Sequence, residues 1–97
     1  MFEPRFTASA LEDLRSLKKG AQRLVVDSVE RQLRFQPMSP ARNRKPLRPN
    51  ELSAWELRVG MYRVFYDVYP QQRTVRIKAV GWKERDKLVI RGKEFTL

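Results

Sequence analysis

The apolar positions change period near the middle of the chain: from Leu11 to Leu33 they recur at helical spacing, and from Leu52 onward they alternate. Thr7 suits the N-cap of a first helix whose inward face is Leu11, Leu14 and Leu17, and Gly20 is placed to end it. Val25, Val26, Val29 and Leu33 share one face of a second helix over 22–34, so Gly20 reads as the turn of an antiparallel helical hairpin. Before these, Phe2 to Phe6 alternates around Pro4, which suits an edge strand.

Pro37 closes the second helix. From Gln36 to Asn50 the segment QPMSPARNRKPLRPN holds four prolines and four basic residues and no acid, the signature of an extended loop, with Leu47 as an anchor tucked under the sheet. Strands are then expected over 52–59, 62–69 and 74–80, and a short final hairpin turns at Gly92. Alternation directs Leu57, Val64, Tyr66, Val75, Ile77 and Ala79 toward the helices, while Glu56, Arg58, Arg63, Phe65, Arg76 and Lys78 take the opposite face. The expected fold class is α+β, in one domain spanning 1–97: an N-terminal edge strand, an antiparallel helical hairpin on one face of a three- to four-stranded antiparallel sheet, and a C-terminal hairpin.

Gly60-Met61 has the form of a two-residue type II′ turn, and such a turn fixes the register of its strands. Val59 then faces Tyr62, Leu57 faces Val64, and Arg58 lies directly opposite Arg63. Two like charges so placed cost on the order of 0.2–1 kcal/mol, which an anion between them would offset. Arginine rather than lysine at both places suits a phosphate, because a planar guanidinium grips it with two parallel hydrogen bonds.

Composition widens this reading from a pair to a surface. Twenty-one basic against 11 acidic residues leave a net charge of +10 on 97 residues, an excess that points to a polyanion, with nucleic acid first and an acidic protein second. Lys83 and Arg85 extend the basic face beyond the third strand, and Arg44, Lys45 and Arg48 approach it from the proline-rich loop. Phe65 either stacks on an unpaired base or packs beneath the C-terminal hairpin. With no cysteine and no histidine, thiol chemistry and the commonest general base are absent, and no metal-ligand cluster or phosphate-cradling glycine loop is present, so no cofactor is expected. No apolar run is long enough to cross a membrane, and a cytoplasmic location is expected.

Three stretches, FTASALEDLRSL, KPLRPNELSAWELRVGMYRVFYDV and VRIKAVGWKERDKL, together resemble the RelE/ParE superfamily of bacterial type II toxins. The resemblance spans nearly the whole chain and implies an acidic, partly disordered antitoxin that wraps the toxin in a hetero-oligomer. RelE-type members cleave mRNA in the ribosomal A site, against rRNA, whereas ParE-type members inhibit DNA gyrase. In the nucleases a ribose 2′-hydroxyl attacks the adjacent phosphate, and the resemblance places Arg63, Arg58 and Lys83 at the family's basic positions, with Arg85 as a fourth. Two departures stand out: Glu56 occupies the place of a second lysine, and Val89 falls near the place of a C-terminal tyrosine or histidine. Glu56 is then either the general base or a neutralising partner for the arginines. The expected function is that of an mRNA-cleaving toxin, an mRNA interferase, with gyrase inhibition or plain RNA binding as the alternatives.

Overall fold

The computed structural model describes residues 1–97. Strand β1 (Glu3–Phe6) leads into α1 (Ala8–Arg15), where the Thr7 hydroxyl accepts the Ala10 N–H at 3.1 Å, as its N-cap role requires. Helix α2 (Lys19–Ser28) continues without interruption into a π-helical turn over Val29–Leu33. The helical hairpin forms, but its turn lies earlier than expected. Ser16 closes α1, and Gly20 sits inside the first turn of α2 with no positive φ. Gly20 is therefore not the helix stop; Leu17 and Lys18 make the corner.

The sheet is larger than expected, with seven strands. The order β2 (Arg44–Pro46), β3 (Trp55–Val59), β4 (Tyr62–Tyr69), β5 (Thr74–Glu84), β6 (Lys87–Ile90), β7 (Lys93–Phe95) is antiparallel throughout, and β1 lies parallel to the first half of β5. The proline-rich segment thus contributes a short strand of its own, and the C-terminal hairpin joins the main sheet. Register at the first hairpin is as expected, Leu57 opposite Val64, Arg58 opposite Arg63 and Val59 opposite Tyr62, with Gly60 at φ +60°.

One β-bulge reshapes β5. Phe65 pairs with Ala79 but Tyr66 pairs with Ile77, so Lys78 is the extra residue and the alternation of β5 reverses there. Val75 and Ile77 face the helices, and so does Val80, packed with Leu14, Val25, Leu33, Leu57 and Tyr66 in the main core. Ala79 was expected among them. The bulge instead turns it to the other face, where it joins Phe65, Leu88 and Ile90 in a second small core, with Leu47, Leu52 and Phe95 around it. The face away from the helices is therefore partly covered, by the C-terminal hairpin on one side and the Leu47–Leu52 segment on the other.

The bend also needs Gly81. A Cβ there would lie 2.3 Å from the Val89 carbonyl oxygen and 2.7 Å from an Ile90 side-chain carbon, so only glycine lets β6 cross so closely.

Candidate functional site

The remaining part of the covered face is a cleft of about 470 Å³. Lys45 from β2 and Arg48 from the loop form one wall, and Lys83 from the end of β5 and Asp86 from the β5–β6 turn lie among its charged lining. Leu88 and Phe95 bring apolar surface from the C-terminal hairpin. Glu56 is 7% exposed and lies directly across the ladder from Lys45, whose ammonium is 3.9 Å from its carboxylate. The neutralising partner of Glu56 is thus Lys45 rather than either arginine. Lys83 and Arg48 have no carboxylate partner.

Arg58 and Arg63 occupy the next row on the same face. The Arg58 N–H is turned toward β2, where it donates to the Asn43 carbonyl at 2.7 Å, so its pairing with Arg63 is the closely spaced, non-hydrogen-bonded kind. Arg58 reaches solvent, but Arg63 is only 7% exposed. One terminal nitrogen of Arg63 donates to the carbonyls of Gly60 at 2.8 Å and Tyr62 at 2.9 Å, which folds the side chain back against its own hairpin. Its Nε is buried with no partner, the one such side-chain atom in the molecule. Burial first, and the Arg58 charge second, push the Arg63 pKa below its ordinary value, while Glu56 acts in the opposite direction. Lys83 is held beside this row, its N–H donating to the Met61 carbonyl at 2.8 Å.

This architecture and site accompany a clear family signal. Residues 5–87 match the family model described as the ParE toxin of the type II toxin-antitoxin system, parDE. The chain belongs to this toxin family. Among solved structures, the toxin resembles a chain of the RelBE2 toxin-antitoxin complex from Mycobacterium tuberculosis, at 30% identity and a TM-score of 0.74, covering 84% of this chain and 98% of that one. It shares its fold with a chain of the archaeal RelE-RelB complex from Pyrococcus horikoshii, at 19% identity and a TM-score of 0.63, covering 87% and 97% of the two chains. No curated protein sequence matches it.

The expected site residues of the toxin divide into three groups. Lys45, Arg48, Glu56 and Lys83 line the cleft, and Arg58 and Arg63 adjoin it on the same face. Arg85 lies just beyond, exposed at the β5–β6 turn with φ +60°. Arg76 and Lys78 are elsewhere, because Arg76 is seven residues from Lys83 along β5, a distance of roughly 20 Å. Arg76 lies over the Tyr69 ring at 5.1 Å, and Lys78 pairs with Asp67 at 3.6 Å.

One expectation is overturned, and one open alternative is decided. Arg44 is buried, facing the helices beside Leu57, and its guanidinium donates to Gln32 Oε1 at 2.7 Å and the Ser39 carbonyl at 3.0 Å, so it braces the loop and presents nothing to RNA. Phe65 is wholly buried in the second core and offers no ring face to a base. The cleft walls made by Asp86, Leu88 and Phe95 escape sequence reasoning; the only signal for them is the apolar pair Leu88 and Phe95 flanking the Gly92 turn.

Proposed function

We propose that the toxin cleaves mRNA on translating ribosomes, with the scissile phosphate held between Arg58, Arg63 and Lys83 at the edge of the cleft. The observation that carries this reading is the Arg63 guanidinium: nine-tenths buried, beside a second arginine, with Nε unsatisfied. Removing one cation from a crowded pair would relieve the fold, so its retention suits a site completed by an anion. A phosphate beside the pair offsets the repulsion, and a turn of the Arg63 side chain away from the Gly60 and Tyr62 carbonyls would bring the buried Nε to it.

The chemistry requires no cofactor. A ribose 2′-oxygen attacks the neighbouring phosphorus as the bond to the 5′-oxygen breaks, leaving a cyclic phosphate and a free 5′-hydroxyl. Glu56, 3.9 Å from the Lys45 ammonium in the cleft, takes the proton from the 2′-hydroxyl, and Lys83, without a carboxylate partner, supplies one to the departing oxygen. Arg58 and Arg63 stabilise the charge that grows on the phosphorane oxygens.

The toxin works within a toxin-antitoxin pair in the cytoplasm. An antitoxin with an acidic segment suits the +10 charge and silences the toxin by covering the arginine pair. A second reading, inhibition of DNA gyrase without RNA cleavage, is favoured by the match to the ParE family model and by Val89, which cannot transfer a proton at the C-terminal strand. Expression of the toxin with primer extension on a translated message separates the two. Cleavage within codons supports the nuclease, and growth arrest with intact mRNA and lost supercoiling activity overturns it.

A further inference from the structure

The sheet carries a second cross-strand arginine pair at its other end. Arg5 on β1 lies opposite Arg76 on β5, a juxtaposition created by the parallel pairing of the first strand. Both side chains are exposed, on the face away from the helices. Arg5 shares the small exposed contact with Glu3 at 3.0 Å, and Arg76 has no carboxylate or other acceptor, only the Tyr69 ring at 5.1 Å. A guanidinium over an aromatic ring keeps its N–H edge free for a phosphate fork. Arg73, the last residue of the β4–β5 turn, stands apart from this pair, over Phe2, which packs against the helix-side core. The Arg73 backbone is left-handed at φ 53°, a conformation disfavoured for any residue with a Cβ, and the guanidinium lies 5.8 Å from the Phe2 ring, again without an acceptor. Of the local carboxylates, Asp67 is held by Lys78 and the Ala54 N–H, while Glu3 pairs with Arg5 in an exposed contact that a phosphate can displace.

We infer that Arg5 and Arg76, with Tyr69, form a second phosphodiester-binding surface, separate from the cleft, that holds the backbone of the RNA on which the toxin acts. The roughly 20 Å between Arg76 and Lys83 exceeds the reach of any single phosphate, so the two arginine clusters engage different phosphates. The stacked arrangement favours nucleic acid over an acidic polypeptide. The ring faces and planar cations suit bases and phosphates alternately, as in single-strand binding surfaces. This surface raises affinity and takes no part in bond cleavage. The inference rests on the reading of the toxin as a protein that acts on RNA.

The test is binding, not cleavage. A labelled 2′-O-methyl RNA cannot be cut, so its affinity for the purified toxin is measured over a salt series beside that of a dinucleotide that fits the cleft alone. The double variant Arg5→Gln with Arg76→Gln should weaken the longer RNA at least tenfold and lower the salt slope by about 1.4, roughly 0.7 for each phosphate no longer neutralised. Dinucleotide binding should be unchanged. Equal affinity and slope for wild type and variant would overturn the inference. So would a variant that loses only its affinity for poly-glutamate, which would assign the surface to an acidic protein. A toxin that binds the long RNA through these arginines yet never cleaves mRNA would sink the nuclease reading and leave this surface standing.

Discussion

Asp13 and Arg91 form an ion pair at 2.9 Å that closes a gap in the sheet edge. Strand β1 leaves β5 after Ile77 and β6 joins at Trp82, so the edge of β5 between them lacks a neighbouring strand. Asp13 accepts the Val80 N–H at 3.1 Å with its other oxygen, and Arg91 donates to the Lys78 carbonyl at 3.2 Å. Each member of the pair thereby also satisfies one backbone group that the gap would strand. The pair fixes α1 to the bulge and the C-terminal turn to both.

Asp13→Ala should lower unfolding free energy by about 2–4 kcal/mol, since it strands a buried N–H and breaks a pair whose carboxylate is nearly inaccessible. Arg91→Gln should cost less, because its side chain is 42% exposed. Urea unfolding of both variants measures the difference. Equal and negligible losses would mean that the pair does not hold the β5 edge.

Gly81→Ala should be poorly tolerated. The added methyl meets a backbone carbonyl at 2.3 Å, which cannot swing away as a side chain can, so β6 must move and the second core with it. Thermal melting should show a marked loss of stability, accompanied by loosened packing of Leu88 and Ile90. By contrast, Gly20→Ala should stabilise by roughly 0.5–1 kcal/mol, because Gly20 lies within a helix and a Cβ there meets open space.

Tyr66 makes the fold sensitive to alkali. Burial pushes its hydroxyl well above the usual 10.0, and the nearby Arg44 only partly opposes this. The folded chain keeps a proton that the unfolded chain releases, so this contribution is complete below about pH 10 and is lost as the pH rises beyond it. Tyrosinate absorbance should show a late component that coincides with unfolding, and Tyr66→Phe should abolish it. The same substitution leaves the Pro37 carbonyl without its 2.7 Å hydrogen bond, at about 1 kcal/mol.

Arg44 and Arg48 should behave oppositely. Arg44→Leu should destabilise the fold by freeing the loop from Gln32 and Ser39. Arg48→Ala should leave stability unchanged within about 0.5 kcal/mol, as expected of an exposed side chain, while weakening RNA binding through the cleft. Melting curves and RNA titrations on the two variants check both halves.

Much of this molecule is legible in its sequence where local rules apply. The two-residue turn at Gly60-Met61 sets the Arg58–Arg63 register because loop length and strand twist leave few alternatives, and the helix start at Thr7 follows from capping. What stays hidden depends on distant segments. The bulge at Lys78 has no glycine to mark it, yet it sends Ala79 to the opposite face. Phe65 alternates like a surface residue, so alternation leaves open whether it stacks on a base or packs under the hairpin, and only the fold of that hairpin, more than twenty positions later, decides for burial. Arg44 looks like its basic neighbours, and only the position of Gln32 on the helix makes it internal. The Arg5–Arg76 pair requires knowing that β1 runs parallel to β5.

Arg63 carries the central claim, since its burial without a partner for Nε is read as the mark of a site completed by phosphate. The direct measurement is the single-turnover rate of mRNA cleavage on programmed ribosomes, wild type beside Arg63→Ala, with unfolding free energies for both. Cleavage should fall about a hundredfold or more. Stability should hold or rise, since a buried guanidinium repelled by Arg58 has been removed. A variant that cleaves at the wild-type rate, or one that loses activity only because it unfolds, would contradict the account.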